Sequence, residues 1–164
     1  MRFRDCYCSP LGKILLEANE TGLTGLWFEG QKYAPRECAG IPEQKETPVF
    51  ERAKEWLDLY FSGREPGVYV PLHLEGTAFQ MEVWEILCSI PYGQTMTYGQ
   101  IGKQIAKKRG IAHMSAQAVG GAVGHNRIAL LVPCHRVIGS DGSLVGYAGG
   151  AEKKRALLGL EGVL

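Results

Sequence analysis

Apolar and polar residues alternate along the first part of the chain. Phe3 to Cys8, Lys13 to Ala18 and Leu23 to Phe28 are short, loosely alternating runs that break at turn residues, the pattern of strands. Asn19-Glu20-Thr21-Gly22 punctuates the last two runs, so antiparallel strands are predicted. Gln31 to Lys45 carries charges, Gly40 and two prolines without a period and is predicted to be a loop. The repeat then turns helical. Thr47-Pro48 supplies an N-cap and first-turn pair, and Val49, Phe50, Ala53, Trp56, Leu57, Tyr60 and Phe61 follow at helical spacing up to Ser62-Gly63. This aromatic stripe predicts core packing rather than a ligand platform. Val68 to Leu74 predicts one more strand, completing a sheet-plus-helix unit over residues 1–75.

From Gly76 onward the period is helical, and residues 76–164 form a second predicted unit. Thr77-Ala78-Phe79-Gln80 has the form of a capping box, with Phe79, Val83, Ile86, Leu87 and Ile90 on one face and Pro91-Tyr92-Gly93 as the break. Cys88 lies in this helix, where packing explains it. A second capping box, Thr97-Tyr98-Gly99-Gln100, opens a helix with Ile101 and Ile105 inward; Lys107-Lys108-Arg109-Gly110 closes it with charge suited to a helix C-terminus. Ser115 begins a further helix in which Gly120 and Gly121 each cost up to ~1 kcal/mol relative to alanine. Two accounts cover that cost: tight helix-on-helix packing, or the second member of a helix-turn-helix lying against nucleic acid. Periodicity does not choose between them. The gathering of Lys107, Lys108, Arg109, His113, His125 and Arg127 around this unit favours phosphate contact. Ala151 to Leu160 predicts a last helix.

One apolar run departs from these periods. Leu130-Leu131-Val132 is interrupted by Pro133-Cys134-His135-Arg136 before Val137-Ile138-Gly139 resumes it. Free cysteine usually acts as a small buried hydrophobe. Pro133 shifts the balance toward a nucleophile, because it removes a backbone donor and takes the chain out of regular pairing where the thiol sits. A thiol of pKa about 8.5 is only slightly ionised at neutral pH, and a neighbouring imidazole or cation raises that fraction. His135 is able to take the proton. Glu161, just past the last helix, is either a surface acid or the group that orients His135. Gly146-Tyr147-Ala148-Gly149-Gly150 is a loop able to bring amides close to a ligand, without the spacing of a nucleotide phosphate loop.

Composition narrows the class. With 45% hydrophobic and 21% charged residues among 164, the chain reads as an ordinary globular protein of one domain or two small ones. No apolar run approaches the ~20 residues of a membrane helix, and Met1-Arg2-Phe3-Arg4-Asp5 is not a signal peptide. A cytoplasmic monomer with no membrane partner is expected. The five cysteines, Cys6, Cys8, Cys38, Cys88 and Cys134, are irregularly spaced and expected to be reduced. Cys6-x-Cys8 is too short for a zinc knuckle, and no metal or cofactor is expected. A net charge of +1 argues on its own against nucleic acid, so local clustering carries that inference.

Taken together, Pro133-Cys134-His135-Arg136-Val137-Ile138-Gly139, Gly146-Tyr147-Ala148-Gly149-Gly150, Ile90-Pro91-Tyr92-Gly93 and Thr97-Tyr98 resemble the O6-alkylguanine-DNA alkyltransferase family. The resemblance is dense from about Gly76 to Gly162; before that, only strands followed by a helix resemble the family's ribonuclease-H-like domain. It implies an α/β (α+β) fold with a small sheet-plus-helix domain followed by a mainly helical domain containing a helix-turn-helix. It further implies irreversible, single-use transfer of an alkyl group from O6 of guanine in duplex DNA to Cys134. His135 would remove the thiol proton through a water, Glu161 would orient the histidine, and Arg136 would be structural. The carbonyls of Cys134 and Val137 would meet the guanine amino group. Tyr98 would donate to the base, Tyr147 would line the pocket, and the Ala148 amide would face O6 where the family often has serine. Asn126 would tie the helix-turn-helix to the active segment. Ser115, Gln117, Ala118, Gly121 and Arg127 would contact DNA, with the Gly-Gly face in the minor groove. Gln117 stands where the family usually has an arginine that fills the gap left by the extruded base; the zinc ligands some members carry have no match.

Two other readings compete: a lesion-binding relative without transfer, disfavoured by the presence of Cys134, and a cysteine hydrolase. The hydrolase requires direct thiol-imidazole contact, awkward for residues adjacent in an extended chain.

Overall fold

The computed structural model describes residues 2–35, 47–144 and 146–164; residues 36–45 of the expected loop, with Cys38, lie outside the described residues. Strands β1 (Phe3–Ser9), β2 (Gly12–Ala18) and β3 (Leu23–Phe28) form an antiparallel meander. Its register runs from Phe3↔Ala18 to Ser9↔Gly12 in the first pair, and an irregularity at Glu17/Ala18 interrupts the second. Ile14, Leu16, Leu26 and Phe28 join Phe50, Ala53 and Leu57 of helix α1 (Pro48–Phe61) in the core. As expected, Thr47 caps α1, accepting from the Phe50 N–H at 3.3 Å.

The expected strand over Val68–Leu74 is corrected. The segment is extended but makes a single parallel bridge, Leu23↔Leu72, with Leu23 N–H donating to Pro71 O at 2.8 Å and His73 N–H to Leu23 O at 2.8 Å. Pro71 has no N–H with which to extend the ladder. Farther along β3, Leu26 N–H donates to Arg127 O at 2.8 Å and Ala129 N–H to Leu26 O at 3.0 Å. The outer edge of β3 is thus shared between residues flanking Leu72 and residues flanking Ile128. This couples the sheet to the second half of the chain, and one continuous apolar cluster runs through both.

The second half contains α2 (Ala78–Cys88), the two-residue strand β4 (Met96–Thr97), α3 (Tyr98–Arg109), α4 (Ala116–Gly124), a 3₁₀ turn at Cys134–Arg136, the two-residue strand β5 (Val137–Ile138) and α5 (Ala151–Leu160). Both capping boxes form: Thr77 with Gln80 and Thr97 with Gln100 exchange the reciprocal hydrogen bonds that stop the first turns from fraying. Trp84 Nε1–H donates to Ala122 O at 2.8 Å in the interior, pinning α4 to α2. Parallel pairing of Met96 with Val137 and Thr97 with Ile138 sets the start of α3 beside the Cys134 segment. Among the described residues, no helix is long and apolar enough to cross a membrane. Cys8, Cys88 and Cys134 are free thiols, but Cys6 is disulfide-bonded, correcting the expectation that every cysteine is reduced. Sequence spacing carries none of the Cα geometry that decides such a bond.

Candidate active site

Pro133 ends the apolar run, and the chain folds into a 3₁₀ turn rather than continuing extended. Successive side chains on such a turn diverge by about 120°, so Cys134 and its neighbour still face different surroundings. Cys134 is buried, and the polar groups bearing on its sulfur are Asn126, Lys154, Tyr98 and Tyr147. Burial pushes the thiol up from its ordinary value, while the Asn126 side chain and the Lys154 charge partly oppose the shift. A thiol held protonated by its surroundings needs a base at the moment of reaction.

His135 and Arg136 turn the other way, toward Glu161. His135 Nε2 lies 2.5 Å from Glu161 Oε2, and Arg136 Nε–H donates to Glu161 Oε1 at 2.8 Å. Gly93 N–H adds a third bond to Glu161 Oε1 at 3.0 Å, and Tyr60 O–H a fourth to Oε2 at 2.6 Å. Burial alone would raise the Glu161 carboxyl, but the bonds from His135, Arg136 and Gly93 prevail and hold it at about 2. Burial lowers His135 despite Glu161, and the Arg136 charge acts in the same direction. We therefore assign an ionised Glu161 countered by Arg136, and a neutral His135 whose proton sits on Nε2 facing the carboxylate. The other nitrogen, Nδ1, is a buried acceptor with no hydrogen-bond partner among the described residues. Arg136 also donates to Ile90 O at 2.9 Å and lies 5.7 Å over the Tyr92 ring, clamping the helix break to the turn.

Asn126 is buried and bridges two segments. It donates to Val132 O at 2.8 Å and to Ile128 O at 3.3 Å, and accepts from Ile128 N–H at 3.0 Å. These bonds shape the loop between α4 and the thiol. Opposite it, the Gly146 loop touches Tyr98: a Cβ at Gly146, where φ is +82°, would stand 2.6 Å from Tyr98 Oη. Only glycine permits both that backbone and that approach. Tyr147 Oη is a second buried polar side-chain atom without a hydrogen-bond partner among the described residues.

The glycines of α4 decide between the two accounts of their cost. A Cβ at Gly121 would meet nothing within 4 Å, and one at Gly120 would make only ordinary contact with the Tyr98 ring at 3.9 Å. Packing against the described residues therefore does not require them. The close-packed glycine is instead Gly102 of α3, whose Cβ would press on Met114 O in the link before α4 at 3.2 Å and meet Val119 of α4 at an ordinary 3.8 Å. Val119, Ala122 and Val123 face the core, whereas Ser115, Gln117, Ala118 and Gly121 form an exposed, nearly smooth face. Tyr98, Gln117, Gly120, Ser140 and Gly146 line a cleft of about 580 Å³ beside it.

Arg127 does not join that face. Its guanidinium turns to Glu75 Oε2 at 3.4 Å and Glu17 Oε1 at 3.7 Å, because its backbone pairs with β3 and directs the side chain toward the carboxylates there. Arg109 is likewise ion-paired, to Glu82 at 2.6 Å. The basic cluster inferred from sequence is thus partly answered within the protein. Two groups escaped the sequence reading. Tyr60, assigned to the aromatic stripe, brings its hydroxyl to Glu161 and within 3.3 Å of His135 Nε2; a phenol on a buried helical face needs a polar partner, and that was the available signal. Lys154 is fully buried, its ammonium 5.9 Å from the Tyr98 ring centroid, and burial lowers it to about 8. Its place on one helical face with Leu157 and Leu158 could have revealed it.

Two family models match: the ribonuclease-like domain of 6-O-methylguanine DNA methyltransferase over residues 3–74, and its DNA binding domain over residues 78–163. A methylated-DNA–protein-cysteine methyltransferase of Mycobacterium tuberculosis (strain H37Rv) is 45% identical over 153 residues, covering 93% of this chain and 88% of the relative. The corresponding protein of Methanosarcina barkeri is 45% identical over 160 residues, covering 97% and 96%. Among solved structures, Mycobacterium tuberculosis OGT in complex with DNA superposes with a TM-score of 0.82 at 43% identity, covering 97% of this chain and 92% of that one.

Proposed function

The chain belongs to the 6-O-methylguanine DNA methyltransferase family, and from that premise we propose that it repairs duplex DNA as a monomer by moving the alkyl group of O6-alkylguanine onto Cys134. The exposed Gly120-Gly121 face of α4 enters the minor groove, and the damaged nucleotide turns out of the stack into the cleft beside Tyr98. Extrusion costs a few kcal/mol and least for a damaged base, which is one source of selectivity. Gln117 follows the departing base into the gap, and Ser115 and Ala118 lie along the same face.

Inside the cleft, the Cys134 proton passes through one water to His135 Nδ1. The sulfur attacks the alkyl carbon; the S–C bond forms as the C–O6 bond breaks, and the electron pair goes to guanine. Tyr98 passes its hydroxyl proton to the departing base and is reprotonated through the cleft water from His135, so the proton that left Cys134 ends on guanine and the imidazole returns to neutral. The Ala148 amide faces O6, and the carbonyls of Cys134 and Val137 receive the guanine amino group. Lys154 offsets the negative charge growing on the sulfur from within a low-dielectric site. The observation that carries this reading is a pair of buried atoms without hydrogen-bond partners among the described residues: Nδ1 of His135, the residue next to Cys134 in the chain, and Oη of Tyr147, whose phenol bears on the same thiol. Unpaired buried polar atoms are rare away from sites that receive other molecules.

Mass spectrometry after mixing with a duplex bearing O6-methylguanine is expected to show one methyl group per chain, located on Cys134. Unmodified protein that nevertheless binds the duplex tightly would favour the lesion-binding reading, and multiple turnover of an ester or amide the hydrolase. Gln117→Arg is expected to tighten duplex binding and speed repair by about tenfold, on the order of 1.4 kcal/mol. The added charge also steepens the dependence on salt. An affinity and a rate both unchanged would refute the role given to position 117.

A further inference from the structure

The first half of the chain reaches the Ala148 loop through one short turn. After β3, Gln31 closes the turn on both sides: its side chain accepts from Phe28 N–H at 2.9 Å, and its carbonyl from Ala34 N–H at 3.1 Å. Within it Tyr33 takes φ = 67°, a left-handed conformation unfavourable for a bulky side chain, and the residue is 57% exposed. Neither feature helps the sheet. What the turn gains is contact with the second half. The Tyr33 ring stacks on His125 at 4.2 Å between centroids and 24° between planes. His125 is itself held to the end of α4, its Nδ1 lying 2.7 Å from Gly121 O. On the other side, Lys32 N–H donates to Ala148 O at 3.3 Å. Beneath the turn a pocket of about 290 Å³ separates the glycine face of α4 from Tyr147 and Ala148.

We propose that the Lys32–Tyr33 turn braces the Ala148 loop against the C-terminal end of α4, which makes Tyr33 a positioning residue for alkyl transfer. It touches neither the thiol nor the base; it acts through Ala148, whose carbonyl the turn holds. The brace rests on the reading above only for its effect on transfer. Strain at Tyr33 persists because the stack and the Lys32 bond over-determine the turn, and removing the ring releases the loop while leaving the core untouched.

The test combines Tyr33→Gly, which suits the left-handed backbone but lacks the ring, with Tyr33→Phe, which keeps the stack. In hydrogen–deuterium exchange, Tyr33→Gly is expected to speed exchange of the 146–150 amides about tenfold while β1–β3 and α5 exchange as before; Tyr33→Phe matches the parent. His125→Ala is expected to produce the same acceleration, and the double variant no more than either single one. Single-turnover transfer falls about tenfold in Tyr33→Gly, with affinity for an undamaged duplex changed less than twofold. Unaltered loop exchange overturns the brace, whatever the transfer rate. Lost duplex affinity with unaltered loop exchange would make the ring a direct DNA contact instead. Faster loop exchange in a protein whose parent takes up no methyl group would uphold the brace and defeat the proposed function.

Discussion

Cys134→Ser is expected to bind a duplex bearing O6-methylguanine about as tightly as the parent and to take up no methyl group. The substitution replaces sulfur by oxygen at a buried site whose neighbours remain in place. A serine hydroxyl is far less acidic and less nucleophilic than a thiol, and His135 cannot make up that difference for displacement at a saturated carbon. Binding persists because the α4 face lies outside the substituted position. The measurement pairs a duplex titration with intact-mass analysis after prolonged mixing. A methylated Cys134→Ser chain would sink the assignment, since it would place the acceptor elsewhere.

Glu161→Gln is expected to slow transfer at least a hundredfold, the lower range for loss of general-base assistance, and to destabilise the protein by about 3 kcal/mol or more. Both effects have one origin. Glu161 accepts from Arg136, Gly93, Tyr60 and His135. An amide cannot accept in all these directions; with its oxygen kept toward Arg136 and Gly93, its NH₂ faces His135 Nε2. The imidazole then accepts there and carries its proton on Nδ1, the nitrogen that must receive one. At the same time Arg136 is left as a buried charge without its carboxylate.

The acid limb of stability tests the same residue. Its folded-state pKa of about 2 lies below the ordinary 4.5, so the unfolded chain takes up the proton first. The stabilisation is complete above about pH 4.5 and is lost as pH falls toward 2; each pKa unit corresponds to about 1.4 kcal/mol. Glu161→Gln is therefore expected to be less stable than the parent at neutral pH and to approach it on acidification. Equilibrium urea melts across that range give the comparison. A constant difference at every pH would show that the carboxylate contributes nothing through its charge.

The elements near their own signals were legible. The N-caps at Thr47, Thr77, Thr97 and Ser115 form as the sequence indicates, because a cap is a bond between residues three apart. Val68–Leu74 does not form the expected strand for the opposite reason: apolar content cannot reveal that its bridge partner is Leu23 and that Pro71 ends the ladder. The exposed face of α4 was readable as a choice between two partners, but the choice needed the space around each glycine.

By itself the sequence determined the helices, the antiparallel strands, the Pro-Cys-His-Arg interruption and the family to which they belong. Only the tertiary structure decided how the site is held. Glu161 meets His135 across 26 positions and Tyr60 across 101, and Tyr60 meets His135 across 75. Periodicity reports which residues share a face within a few turns of chain. It has no component at such separations, so it sees Tyr60 as one more aromatic, Lys154 as one more basic residue and Arg127 as one more cation near a helix. Packing is what turned the first toward Glu161, enclosed the second beside a thiol and drew the third back onto Glu17 and Glu75.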